Sequence, residues 1–363
     1  MKSTNGSSSL QPEEKNSIWF GLFLLSAATL AFEIDLTRLF SVTQFYHFAF
    51  MIVSIALLGF GASGTALTVF PAIQNGQPKR RLSQLGFATG ISILVAFLLT
   101  NWLPFDSFSI AWDRRQVWIL MLHYIALASP FFFSGMALGF LLSASPQSAG
   151  TTYAVNLLGS AAGCLIALVA PSLLGGEGMV ILSIALASLA GIISSLCHCE
   201  SVGRSSLLME TARLLRENRP RNDPLRIVAT SALFLFSLLD LGLRVTGKSS
   251  FAFLELRISP YKSLSYALQY PGSRVVQSQW NASSRVDVVR SGGIHSLPGL
   301  SYRYLEPLPS LDALLVDGDD LSPIIWPATD SAFISYLPNA VAFHLRPQAS
   351  ALILEPRGGL DVL

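Results

Sequence analysis

The chain has 363 residues, of which 51% are hydrophobic and only 13% charged, about half the charge of an ordinary soluble globular protein. With a mean hydropathy of +0.52, this excludes a freely soluble chain, and a net charge of +2 leaves no basic footprint for nucleic acid. Three cysteines, Cys164, Cys197 and Cys199, exclude a disulfide framework by number and spacing. Cys197-His198-Cys199 falls short of the four ligands of a structural zinc site, so no metal is expected.

Residues 1–16 are polar and Ser-rich and read as a disordered tail. The apolar run that follows is too long for a signal-peptide core and lacks a clean cleavage site, so it reads as an uncleaved first span. A spanning helix needs about 20 mostly apolar residues to cross roughly 30 Å of hydrocarbon. Six stretches meet that length: 18–41, 47–70, 83–103, 117–142, 153–172 and 178–197. A seventh, 227–243, is shorter and carries Asp240 close to Arg244; an arginine-rich polar segment, 198–226, precedes it. The bundle therefore has six to seven spans. Pro71, Pro104 and Pro171 stand where spans should stop, and Pro130 predicts a kink inside the fourth.

Gly59, Gly61 and Gly64 fit GxGxxG. A nucleotide site would need a preceding strand and an aqueous pocket, whereas these glycines lie within a span, where small residues let helices approach closely. Gly86/Gly90, Gly135/Gly139 and Gly159/Gly163 repeat the GxxxG spacing. Glu33, Asp35 and Arg38, with Asp240, make up the expected intramembrane polar cluster. Glu33 lies about 22 Å into the first span. Asp35 and Arg38 share a helix face and can pair. Glu33 points about 160° away from Asp35 and needs a different partner, such as a polar residue on a neighbouring helix. Charges within a membrane usually mark function; the alternative is an interfacial cluster that closes the helix, joined by His47 at the start of the next span.

After residue 247 charged residues return. Residues 285–289 and 313–317 form short alternating runs, separated by turn signals at 291–293, 298–299 and 317–318. The run 349–354 reads as a buried strand entering a Gly-containing turn, and the chain then stops, as a piece of something larger would. The expected organisation is a tail at 1–16, a transmembrane helical bundle at 17–247, a small β-rich domain at 248–345, and at 346–363 the first strand of a truncated Rossmann-like α/β domain. Asn281-Ala282-Ser283 is a glycosylation sequon of the kind common by chance.

Three stretches carry a family resemblance: Glu33 to Arg38 with the Gly-rich second span, Tyr153-Ala154-Val155-Asn156-Leu157-Leu158-Gly159 continuing through Gly163 to Pro171, and Val316-Asp317-Gly318-Asp319 with Tyr336-Leu337-Pro338 and the terminal 352–363. In this combination and order the chain resembles the membrane-fused branch of the spermidine synthase (polyamine aminopropyltransferase) family, which joins a transporter-like helical bundle to a spermidine-synthase-like domain. The resemblance implies a β-rich subdomain followed by a Rossmann-like domain that binds S-adenosylmethionine or its decarboxylated form. It places Gly358 and Gly359 at the cofactor turn, and Asp317 and Gly318 at the site for a small amine or polyamine substrate. Two departures stand out. The family turn is roughly Gly-x-Gly-Gly-Gly, whereas Glu355 and Arg357 replace two of its glycines and resist positive φ. The glutamine expected after Asp317-Gly318 is absent, and Leu321-Ser322-Pro323 follows instead. The acidic base would lie beyond residue 363, so no catalytic residue and no bound cofactor are expected in this chain.

Three functions follow: a membrane-anchored spermidine-synthase-like protein, as a fragment or degenerate copy of an aminopropyl- or methyltransferase and inactive in this form; a transporter or channel-like bundle with an accessory soluble domain, in which Glu33, Asp35, Arg38 and Asp240 handle the cargo; or a non-catalytic membrane scaffold. The expected partner is the lipid bilayer, of bacterial inner-membrane type, with no nucleic acid. Lys2, Lys15, Lys79, Arg80, Arg81 and the arginines of 204–226 outweigh Arg114 and Arg115 across the membrane, which puts the N-terminus in the cytoplasm. Six spans would then turn residues 248–363 inward; seven would turn them outward.

Overall fold

The computed structural model describes residues 12–363 except 75, 104, 107, 201–222, 248–250, 295–296, 298, 310, 326–331, 347–349 and 363. The chain divides into two compact units, one of residues 1–37 and 49–256, the other of residues 38–48 and 257–363.

The first unit is built from seven long helices among the described residues: α1 Pro12–Thr43, α2 Tyr46–Val69, α3 Pro78–Trp102, α4 Arg114–Ala144, α5 Ala149–Val169, α6 Pro171–Glu200 and α7 Asp223–Val245. All seven are long and apolar enough to cross a membrane, consistent with an integral membrane protein. Helices α1, α4, α6 and α7 overrun their apolar stretches at both ends, because a helix that satisfies its own backbone continues into the polar interface; α2, α3 and α5 start earlier than expected and stop one to three residues short. The expected tail is corrected accordingly: its first eleven residues lie outside the described residues, but residues 12–16 already belong to α1. Pro130 lies inside α4, which is continuous over its 31 residues. Non-helical backbone occurs in α6 at Gly175 (φ 74°, ψ 174°), a conformation closed to residues with a Cβ.

Packing explains most of the small residues. A Cβ on Gly159 or Gly163 would come within 2.4 Å of Phe23 O or 2.5 Å of Ala27 O, so α5 lies directly on the α1 backbone. Gly86 meets Gly191 of α6 in the same way, and Gly135 meets Ser63 of α2. The GxGxxG triplet divides: Gly59 faces Ala128 O at 2.6 Å, whereas Gly61 and Gly64 face open space. Helix α7 shows the inversion expected of a lipid-facing helix. Thr230, Leu233, Ser237 and Asp240 are buried along one stripe, while Val228, Leu235, Leu238 and Leu239 are exposed on the other side.

The second unit centres on an antiparallel meander, β1 Arg274–Trp280, β2 Arg285–Arg290, β3 Asp312–Val316 and β4 Asp319–Ile324, in the order β1-β2-β3-β4. The alternating runs expected at 285–289 and 313–317 are β2 and most of β3. Asp317 (φ 52°) and Gly318 (φ 72°) close the β3–β4 hairpin, the two-residue turn that Asp-Gly favours. Asn281 has a turn role too: its Oδ1 accepts from the amides of Ser283 (2.8 Å) and Ser284 (2.7 Å) between β1 and β2. Val289, Ala313, Leu315 and Ile294 form the core with Leu264 and Ala267 of a short helix, α8 Ser263–Ala267. A satellite cluster of Leu297, Leu311, Phe333 and Leu337 lies near α9 Ala340–Leu345.

The buried strand expected at 349–354 does not form in the described residues. Residues 350–354 have no ladder partner, and Leu352 is 86% exposed. A central parallel strand exists only through neighbours on both sides, and the four-stranded meander does not pair with this segment.

Candidate functional site

Several polar side chains of the first unit line one cavity of about 220 Å³. Helix α1 contributes Leu22, Leu25, Ser26, Thr29, Leu30 and Glu33, a spacing that follows one face of a helix over three turns. Phe60 of α2, Ser134 and Leu138 of α4, and Asn156 and Ser160 of α5 complete the wall. The close approach of α5 to α1 at Gly159 brings Asn156 to Ser26: the Ser26 hydroxyl donates to Leu22 O (2.8 Å) and lies 2.9 Å from Asn156 Oδ1. Thr29 Oγ1 donates to Leu25 O at 2.7 Å. Glu33 is half-buried and makes no hydrogen bond or ion pair among the described residues. Among the described residues it is the charged side chain of the lining, and no Lys, Arg or His contributes to it.

The other charges expected to join Glu33 serve different places. Asp35 is 1% exposed, and both it and half-buried Arg38 are engaged. His47 is exposed. Asp240, fully buried, receives Arg244 Nε at 2.7 Å, and Arg244 reaches Glu177 of α6 at 3.7 Å. Asp240 Oδ1 and Arg244 Nη2 have no hydrogen-bond partner among the described residues. Among those residues no group of three potential metal ligands occurs; the side chains of Cys197, His198 and Cys199 lie outside them.

In the second unit, Asp317 and Gly318 are held by the chain itself. Asp317 Oδ1 accepts from the Arg285 amide (2.8 Å) and Oδ2 from Ser41 Oγ (3.2 Å), while Gly318 O accepts from the Leu264 amide at 2.9 Å. Lys262, which no sequence pattern singles out, is 3% exposed and anchors this knot. Its ammonium donates to Ser41 O (2.8 Å) and Asp317 O (3.0 Å) and pairs with Asp319 Oδ2 (2.9 Å). Partial burial pushes the Asp319 carboxyl up, but Lys262 and the amide and hydroxyl of Ser263 together hold it below the ordinary carboxylate range.

The Gly-containing turn adopts left-handed backbone at Glu355 (φ 53°), Arg357 (φ 46°) and Gly359 (φ 84°). Gly358 is pressed onto β4: its amide donates to Ser322 Oγ at 3.1 Å, and a Cβ there would lie 2.0 Å from Pro323 O. No known protein family, curated protein or solved structure matches the chain.

Proposed function

We propose that the helical unit is the working part of this protein, a transporter-like bundle that binds a small solute between α1, α2, α4 and α5, with the β-rich unit as an accessory domain. The observation that carries this reading is the meeting of Glu33 with Asn156 and four hydroxyl-bearing residues in one cavity. An ionisable group within a span costs about 2.5–3.5 kcal/mol and tends to be kept where it faces a partner, a water-filled space or a cargo. Reconstituted into liposomes, the chain should accumulate at least one of a panel of small cationic, anionic and neutral solutes above the level of empty vesicles. Glu33→Gln should abolish that uptake while helicity is retained. Empty-vesicle levels for the whole panel would sink the reading.

Orientation fits the same picture. Residues 38–48 and 257–363 share one unit, which needs an even number of crossings between them; α2–α7 supply it and α2–α6 do not. Within the first unit, Asn101 Nδ2 and Trp102 Nε1 at the end of α3 donate to Glu255 O (2.7 Å) and Phe253 O (3.0 Å), which supports the reading in which α7 crosses. With the N-terminus in the cytoplasm of a bacterial inner membrane, the β-rich unit faces outward. Reporters fused after Arg81 and after Gly150 should then read cytoplasmic, and one inserted at Tyr302, fully exposed, should read external.

The second reading is the spermidine-synthase-like transferase, with S-adenosylmethionine or its decarboxylated form as cofactor and an amine as acceptor. What supports it is the left-handed backbone at Glu355 and Arg357, where the family turn has glycines. A cytoplasmic signal from the Tyr302 reporter would favour it, because the cofactor is a cytoplasmic metabolite.

A further inference from the structure

We propose that the Glu33 cavity is a binding site for a small organic cation, an ammonium group on an apolar body of about six to ten heavy atoms. This inference rests on the reading of the bundle as solute-binding and names the chemistry of its solute.

The lining selects charge first. Glu33 supplies the formal charge, and among the described residues no basic side chain lines the cavity to offset it. An anion would meet an unscreened carboxylate in a low-dielectric wall. A cation there gains a charge-assisted hydrogen bond. Next, the lining is divided. Ser26, Thr29, Ser134, Asn156 and Ser160 offer oxygens to the remaining ammonium protons, while Leu22, Leu25, Leu30, Phe60 and Leu138 form a surface suited to hydrocarbon. An aromatic ring within about 6 Å also attracts a cation.

Inorganic cations fit less well. Calcium takes six to eight oxygens and magnesium an octahedral shell, whereas one carboxylate and scattered hydroxyls face this space, most of it apolar. Size then bounds the ligand. A cavity of about 150 Å³ accepts benzene; this one is about 220 Å³, roomy enough for a ring or short chain bearing one amine.

The test uses the purified full chain in lipid nanodiscs, with benzylammonium as the probe and benzyl alcohol and benzoate as its neutral and anionic counterparts. Equilibrium dialysis of radiolabelled benzylammonium should show one saturable site per chain, displaced by the unlabelled amine but not by either counterpart. Glu33→Gln should weaken binding about 10- to 100-fold, the loss of one hydrogen bond to a charged group. Ser160→Leu, which fills the cavity without touching the carboxylate, should abolish binding and guards against a misfolded Glu33 variant. Absence of a saturable site, equal displacement by benzoate or benzyl alcohol, or undiminished binding in both variants would overturn the proposal. Binding without uptake in liposomes leaves the site standing and removes the transport reading. Uptake of an anion or neutral solute with no amine binding does the reverse.

Discussion

Replacing Gly159 with alanine tests whether the contact between α1 and α5 builds the cavity. The new Cβ would sit 2.4 Å from Phe23 O, against about 3.4 Å for an ordinary contact. Its neighbour is backbone and cannot rotate aside, so α5 must retreat by about 1 Å. Overpacking of this kind costs about 1–3 kcal/mol, and a rigid neighbour puts it at the upper end. Alanine's better helix propensity returns about 1 kcal/mol, leaving a net loss of about 2 kcal/mol. Gly163→Ala meets Ala27 O at 2.5 Å and demands nearly the same retreat. One displacement therefore relieves both clashes, and the double variant should lose about 2–2.5 kcal/mol rather than twice the single value. Gly64, with nothing within 4 Å, is the control, and Gly64→Ala should be neutral or slightly stabilising. Unfolding by sodium dodecyl sulfate in mixed micelles, followed by tryptophan fluorescence, reads all four variants. A Gly159→Ala protein as stable as the parent, or strictly additive losses, would refute the direct-contact argument. Benzylammonium affinity should fall alongside, because the same retreat carries Asn156 and Ser160 away from Glu33.

Two further variants probe the buried charges. Arg244→Ala strands the fully buried Asp240 and should cost about 3–5 kcal/mol; adding Asp240→Ala should restore most of it, and a double variant as unstable as the single would contradict the pairing. In the second unit, the Asp319 carboxyl is held below its ordinary value, so its ion pair stabilises the fold fully above about pH 4. That contribution fades as pH falls from there through the lower folded-state value. Lys262→Met should lower the melting temperature at pH 7 and flatten its decline below about pH 4; an acid decline identical to the parent's would show that Lys262 does not set this carboxyl.

Much of the fold was legible because each element carries its own period. Six apolar runs of spanning length announced α1–α6, a shorter seventh pointed to α7, and alternation announced β2 and β3, with Asp317-Gly318 marking the hairpin between β3 and β4. Helix α7 was the doubtful case, and the reason is physical. Its stripe of Thr230, Ser237 and Asp240 lowers the average hydropathy that identifies a span, yet that stripe is what packs inward. The strand expected at 349–354 went wrong for the opposite reason. A short apolar run beside a turn signal is consistent with a buried strand but does not specify one, and only a neighbouring ladder converts it into a strand.

The site was half legible. Helical geometry set Glu33 apart from Asp35 and required a polar partner on another helix, but a single sequence does not say which helix. The signal was divided between two chain segments: hydroxyls at 26 and 29 one or two turns before Glu33, and Asn156 one turn before Ser160. Each is an unremarkable polar residue in an apolar span. They become a site only because Gly159 and Gly163, read for close packing, let α5 settle onto α1 at the height that brings Asn156 to Ser26. The glycines and the asparagine of that motif thus form one device. Small residues set the distance, and the amide one turn earlier uses it. The charges at 33, 35 and 38 need not share a function, since rotation along α1 sends them to different surroundings. Glu33 turns to a cavity where no partner neutralises it among the described residues, and that is the position at which an incoming cation would do so.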